Sequence, residues 1–474
     1  MPLSSHRPQS CTLILLLAGL LGCATSPELD ELVQLHRAGA QDAALELLQD
    51  EHVRSELSGR RDGLLWRLEA GKILQDAGRH EESEEEFRAA DRRLREFDEE
   101  PVIRIGGELG SLITNPAARA YRGTEYDRIL LECYRVWNQL MLGDLSEALV
   151  HTRRAYVRQA EAVERNAKRI QAEQGAADSH GVEIAEMVQG TRFEDAVAPS
   201  LTRVDPIYAE WVNPYASYLA AVLQWIDGDY ANCEVDLRKL KAMLPANQGV
   251  SELLAELESG ALARVPGMTR VFVIHEAGDA PSRDSESVVI QTLRFGLTPI
   301  VLPVLTYERR QPGGLDITTE SGALLARTET IADIEAIVAH DYETRLAGVV
   351  LRALLSVIAK EAATEALVRA DKEDDEENDG WGFLLGNLYK VVSAGCDTRT
   401  WRSPSARIEV CQFLLPMGEI AQLHLRDAFG TRIASYQTEL QAGPLLFVRL
   451  RSHTSGAVSI QTATLERPAS QNQP

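Results

Sequence analysis

From Glu28 to about Gly260, apolar residues recur at three- and four-residue steps, beginning with Leu32, Leu35, Ala44, Leu45 and Leu48. That is the spacing of buried helix faces. Within this stretch a glycine stands four times, five positions before a small residue: Gly39 and Ala44, Gly78 and Ser83, Gly143 and Ala148, Gly228 and Cys233. Four residues further on come Leu48, Phe87, Thr152 and Leu237. The pattern dictates helical hairpins. Each glycine ends a helix in a left-handed turn. The small residue lets the second helix approach the first, and the larger one fills the groove beside it. Thr152 departs from the large apolar type, and the copies are unevenly spaced, so the expectation is a short, irregular, all-α array.

After Pro266 the pattern changes. Thr269 to His275 is β-branched and aromatic and reads as a strand, and Ile300 to Leu305 as a buried strand with an edge proline at Pro303. Ile331 to Ala370 reads as one or two helices. Arg352, Lys360 and Glu361 interrupt its apolar part, which argues for a core helix over a membrane span. Asp371 to Gly380 is a run of charge whose self-repulsion predicts a solvated loop, and Gly380 onward a helix toward Ala394. Arg407–Leu415, Ile420–Arg426, Arg432–Leu440 and Pro444–Arg451 then read as strands of an antiparallel meander. The fold expected is α+β: an all-α solenoid over residues 23–262, a mixed domain with an antiparallel sheet over 263–465, and a disordered tail over 466–474.

Chemistry is harder to find. With a net charge of −22 over 474 residues and no cluster of Lys and Arg, the chain lacks the counterion-releasing surface that nucleic acid or anionic lipid requires. No H-E-x-x-H, G-x-S-x-G or phosphate-binding glycine loop is present. His275, Glu276 and Asp279 sit at one strand end without a second histidine beside them, which is poor provision for a metal, and His340-Asp341 reads as a surface pair on a helix. Neither catalytic residues, a cofactor nor a metal site is expected. Cys133 and Cys233 fall in helical patterns as small apolar residues, whereas Cys396 and Cys411 flank one motif and could pair as a disulfide. The mixed charges of residues 150–172 suggest a solvated helix face.

One insertion, Gly110 to Arg128, interrupts the helical array between its second and third units. Asn115-Pro116 marks a turn, and Arg119, Tyr121, Arg122, Tyr126 and Arg128 cluster behind it. These residue types are enriched at binding hot spots. Two readings stand. The insertion lines the groove of the array and grips a partner, or it plugs the groove with its rings buried and its arginines paired to Asp and Glu.

The helical units resemble tetratricopeptide repeats, the fullest copy being Gly71-Lys72-Ile73-Leu74, Gly78, Ser83, Phe87 and Ala90, and the last ending at Pro245. The N-terminus, with His6, Arg7 and the apolar run Leu13–Leu21 ahead of Gly22-Cys23, resembles the lipobox of bacterial lipoproteins. That resemblance implies a signal over residues 1–22, cleavage between Gly22 and Cys23, and acyl chains, palmitate among them, on Cys23. Ala24, in place of an aspartate, implies sorting to the outer membrane. More than one acyl chain anchors stably without basic residues.

Together with Asp397-Thr398-Arg399-x-Trp401, Pro404 and Leu415-Pro416-x-Gly418, these features resemble a family of largely uncharacterised bacterial lipoproteins that join degenerate repeats to a D-T-R-x-W domain. The Tyr121 to Tyr126 segment and Leu142-Gly143-Asp144 fit the same family. The family brings no established activity. In some genomes its members neighbour a lipoprotein that activates peptidoglycan synthases. The expectation that follows is a scaffold for a protein partner on the periplasmic face of the outer membrane. The alternatives are a glycan-acting enzyme with an unrecognised site in the second half, or a purely structural envelope subunit. For the motif itself, Asp397 is expected to cap a helix or turn and pair with Arg399, and Trp401 to anchor the strand layer onto the long helix.

Overall fold

The computed structural model describes residues 26–59, 61–100, 119–180, 191–260, 265, 267–292, 296–309, 313–374, 396–416, 420–427, 429–439 and 445–465. The signal, the Gly22-Cys23 lipidation site, residues 110–118 of the insertion, most of the acidic run and the tail lie outside them.

The first half is helical: α1 (Pro27–Arg37), α2 (Gln41–Gln49), α3 (Glu51–Ser58), α4 (Gly63–Asp76), α5 (His80–Glu99), α6 (Glu125–Met141), α7 (Leu145–His180), α8 (Thr191–Leu201), a 3-10 turn (Pro206–Trp211), α9 (Pro214–Asp227), α10 (Tyr230–Met243) and α11 (Gln248–Glu258). The four glycines fall where the spacing put them, between α1 and α2, α4 and α5, α6 and α7, and α9 and α10. Their φ values of 74°, 76°, 78° and 86° are left-handed turns that a side chain would strain. Ala44, Ser83, Ala148 and Cys233 are buried. Starts are set by local chemistry. Pro27 and Pro214 take first-turn positions, and Thr124 and Asp127 close a reciprocal capping box on α6.

The second half contains β1 (Met268–Ala277), β2 (Ser282–Thr292), β3 (Gly296–Thr306), β4 (Asp316–Thr318), β5 (Leu324–Arg327), β6 (Glu329–Asp333), α12 (Ile334–Asp374), β7 (Arg407–Pro416), β8 (Ile420–Arg426), β9 (Arg432–Glu439), β10 (Leu445–Ser452) and β11 (Val458–Leu465). The structure is α+β, as expected, but the last strands are not one meander. A five-stranded sheet runs β11-β10-β1-β7-β6, a four-stranded sheet runs β5-β4-β8-β9, and β2 and β3 form a separate ribbon. After β7 the chain crosses to the second sheet for β8 and β9, then returns as β10 parallel to β1, with Phe272 opposite Phe447. The cause is burial. β1 shows Val271 and Val273 to one apolar cluster and Phe272 and Ile274 to another, so it needs a neighbour on each edge and cover on each face.

The layers follow from that strand alternation. Phe272, Ile274, Leu445, Phe447 and Trp401 join the helical core. Val271, Val273, Leu446, Val448 and Leu450 pack with Ile317 and Leu425 of the second sheet. The helical half and the five-stranded sheet thus share one apolar cluster. α12 is one helix of 41 residues. It continues through Asp374, so the acidic run begins on a helix and not in a loop. No helix among the described residues is long and apolar enough to cross a membrane.

Where α4 meets α5, a Cβ on Gly71 would stand 2.5 Å from the Phe87 ring, while Ser83 Oγ donates to the Gly71 carbonyl at 2.6 Å. Phe87 is wedged between helices and cannot give way. Gly71→Ala is therefore expected to lower unfolding free energy by about 1–3 kcal/mol, the range for overpacking, read from the denaturant midpoint. An unchanged midpoint would show that the helices are not in that close contact.

Candidate functional site

The Asp-Thr-Arg-x-Trp segment proves to be a clasp between the halves. Arg399 grips Asp397 through Nε and Nη2 at 2.8 and 2.7 Å and reaches Asp62, at the start of α4, at 2.6 Å. Burial alone would lower the basicity of this guanidinium, but the two carboxylates outweigh it and raise it. Thr398 is half-buried, and the Thr400 hydroxyl meets that of Tyr126 at 2.8 Å. Trp401 lies edge-on to Tyr134 and Phe87, its ring centroid 5.5 and 6.2 Å from theirs, and its Nε1 donates to Ser403. Backbone N–H groups of Arg402 and Ser403 donate to the buried Glu69 carboxylate of α4 at 2.8 and 3.0 Å. The motif's polar groups thus brace the loop internally and tie it to the helices through Asp62, Tyr126 and Glu69.

Behind the clasp lies an ionic cluster with almost no solvent access. Lys72 and Asp76, one turn apart on α4, pair at 2.5 Å, and Lys72 also meets Glu276 of β1 at 3.0 Å. Arg449 of β10 bridges Glu276 at 2.7 Å and Asp76 at 2.5 Å. Arg451 holds Asp279 at 2.7 Å. Three cations face three carboxylates. Burial opposes ionisation of Glu276, but Arg449 and Lys72 prevail and hold its carboxyl down to about 2. Asp76 is likewise held well below the usual carboxylate range. Removing one member of such a buried set costs about 3–5 kcal/mol, because the remaining charge is left uncompensated. His36 of α1 reaches Asp76 at 2.9 Å, yet burial pushes its imidazole down to about 4, the hydrogen bond offsetting only part.

The other sequence candidates disperse. Tyr121 and Tyr126 are buried, and Tyr121 donates to Asp127 at 2.7 Å. Arg128 is buried against Asp98, and Arg122 pairs with Glu100 over the Phe97 ring. Arg119 is exposed. The described part of the insertion thus fills space between helices and presents no row of aromatic anchors. Burial pushes the Asp127 carboxyl up to about 6. Cys396 and Cys411 are free thiols, not a disulfide, and Cys411 faces the core between the two sheets. Strand alternation sends His275 and Glu276 to opposite faces, and among the described residues no group of three or more His, Cys, Asp or Glu is placed to hold a metal. Asp341 is fully buried beside Arg345, not a surface group. The charges of α7 are not simply solvated either, because Arg158 and Arg165 bond Asp91 of α5 and Glu125 of α6.

What the sequence did not signal is a cleft of about 90 Å³ where β1 and β10 end and β7 begins, lined by His275, Asp279, Glu335, Arg407, Ser452 and His453 among others. Carboxyl ends of parallel strands are a recurrent place for ligand crevices. Asp279 is fixed by Arg451, by His453 at 2.8 Å and by the N–H of Thr454 at 2.9 Å. Burial would raise its carboxyl, but Arg451 and His453 hold it far down. On the cleft side of three adjacent strands, Ser452 Oγ lies 2.7 Å from His275 Nε2, and His275 Nδ1 lies 3.0 Å from Glu409 Oε2. Glu409 also accepts from Thr328 Oγ1 at 2.9 Å and from the Gly314 N–H at 3.1 Å. Ser452 and Glu409 are 177 and 134 residues from His275, so no local motif could have joined them.

No protein-family model matches the sequence, and comparison with curated proteins and with solved structures finds no match. The geometry is therefore the ground for a functional reading.

His36 gives this account a pH signature. Its pKa is depressed on folding, so the unfolded chain takes up the proton first. Stability present above about pH 6.5 is lost as pH falls toward 4, by up to roughly 3 kcal/mol for a shift of this size. His36→Gln should lessen the slope of unfolding free energy over that window, measured by denaturant titration at each pH. The carboxylates held low begin to act below about pH 5, the His80 and His453 imidazoles, also lowered by burial, act in the same sense as His36, and Asp127 acts in the opposite sense. An undiminished slope in His36→Gln would place the acid sensitivity elsewhere.

Proposed function

We propose that the chain is a lipid-anchored scaffold on the periplasmic face of a bacterial outer membrane, in which tetratricopeptide-like hairpins hold a sheet-borne cleft, and that a protein partner engages at the cleft. One observation carries the second part of this reading. The helical half shares one buried apolar cluster with Phe272, Phe447 and Trp401; in a tetratricopeptide-like array the face that would offer a groove is then covered by the chain's own sheet. The cleft is a formed concavity of mixed lining, with charged groups beside an apolar wall, that no other segment of the described chain fills. The anchor rests on the resemblance of Leu20-Leu21-Gly22-Cys23 to a lipobox. In this reading Tyr121, Tyr126 and Arg128 support the array from within.

A second reading, an enzyme with its site in the sheet-bearing half, is favoured by the Ser452, His275 and Glu409 row.

Cell fractionation with site-specific photo-crosslinking tests the proposal. Cys23→Ser should leave the membrane fraction. A photo-reactive residue at Arg309 or Thr431, both exposed near the cleft, should give a discrete protein adduct, and one at Val235 on α10 should not. A Cys23→Ser protein that still partitions with outer membrane would remove the lipid anchor from the account. Adducts confined to Val235 would move the partner to the helices.

A further inference from the structure

We infer that the cleft is a serine acyl-transfer site that hydrolyses short O-acyl esters, with Ser452 as nucleophile, His275 as general base and Glu409 as positioning residue. The inference depends on the cleft alone, not on the anchor or on a protein partner.

Protons are assigned by the carboxylate. Burial would raise the Glu409 carboxyl, but its hydrogen bond with His275 and the Arg407 guanidinium at 3.6 Å keep it below the usual range, so it is ionised and only accepts. The proton between it and the imidazole therefore sits on His275 Nδ1. In the neutral ring this leaves Nε2 as an acceptor, and the 2.7 Å contact is donated by the Ser452 hydroxyl. That is the direction in which a histidine draws a proton from a serine nucleophile. The arrangement is built rather than incidental. His275 pairs with Glu409 directly across the antiparallel β1–β7 ladder, while the parallel β1–β10 register brings Ser452 opposite Ala277, two residues on from His275. Thr328 and Gly314 fix Glu409 from the far side.

Ser452 Oγ attacks the ester carbonyl carbon as its proton passes to His275 Nε2. The tetrahedral intermediate collapses with cleavage of the C–O bond, and His275 returns the proton to the departing alkoxide, which leaves as alcohol. Water, deprotonated by His275, then attacks the acyl-serine and releases the carboxylic acid and free Ser452. Arg407 lines the same cleft, and in this proposal it is the cation that meets the negative oxygen of the intermediate. Volume sets the acyl size. A space of about 90 Å³ open to the centres of water-sized spheres, at roughly 10–15 Å³ for each water, holds several waters and has room for a short acyl group. Leu315, Ile433 and Val458 give it an apolar wall.

The test uses the full chain with p-nitrophenyl acetate as substrate and a fluorophosphonate as covalent probe, followed by peptide mass spectrometry. Expected are a single phosphonyl adduct on Ser452 and ester turnover that Ser452→Ala lowers at least 100-fold, with an unchanged melting profile. Glu409→Gln should lower kcat and leave KM in place, and Glu409→Asp should recover part of it, which a loss of packing alone would not do. Absence of an adduct on Ser452 in the wild-type protein overturns the inference whatever the variants do, and so does turnover that survives Ser452→Ala. In either event the row is a polar ladder closing the sheet end. The binding role of the cleft would then still stand or fall on the crosslinking result.

Discussion

The structure depends on placing six charged side chains in a space from which water is excluded. Lys72 and Asp76 come from a helix, Glu276 and Asp279 from β1 and the turn after it, Arg449 and Arg451 from β10, and none is stable there without the others. Apolar packing would tolerate some sliding between a helical layer and a sheet. Paired charges at 2.5–3.0 Å do not, since a displacement of one residue along β10 would turn Arg449 and Arg451 to the opposite face. The cluster fixes the register of β10 against β1 and the position of both against α4. It also sets the cleft, because Asp279 and Arg451 belong to the cluster and to the cleft wall or its support.

Much of the helical half was legible in the sequence because its determinants are local. Each glycine and the small residue five places on belong to one hairpin, so Gly39, Gly78, Gly143 and Gly228 could be assigned to turns from spacing alone. The strand segments were legible too, but their pairing was not. Leu445 to Leu450 is a nearly unbroken apolar run like Val271 to Ile274, the mark of a central strand buried on both faces, and an antiparallel meander would have left one face of it in water. That signal was available, and it points to the parallel β1–β10 pair.

The candidate residues fared differently, for a related reason. Arg399 and Trp401 form a recognisable cluster because they are close in sequence, and their work is local, fastening one loop to α4 and α6. Tyr121 and Tyr126 have the composition of a binding hot spot, but composition does not reveal which way a ring points, and both are turned into the core. Ser452, His275 and Glu409 come from three strands that become neighbours only once the sheet is assembled. A site that tertiary pairing creates leaves no spacing to read, and a chain without a motif is not thereby a chain without chemistry.

If the ionic cluster joins helices and sheet into one unit, its loss should be felt on both sides together. Hydrogen exchange read by mass spectrometry on Glu276→Gln tests this most directly, because the substitution keeps shape and leaves Lys72 and Arg449 with one carboxylate fewer. The account predicts that amides of residues 63–76 and 445–452 lose protection in concert, with global stability lower by about 3–5 kcal/mol. A change confined to β1, with α4 and β10 as protected as before, would contradict it.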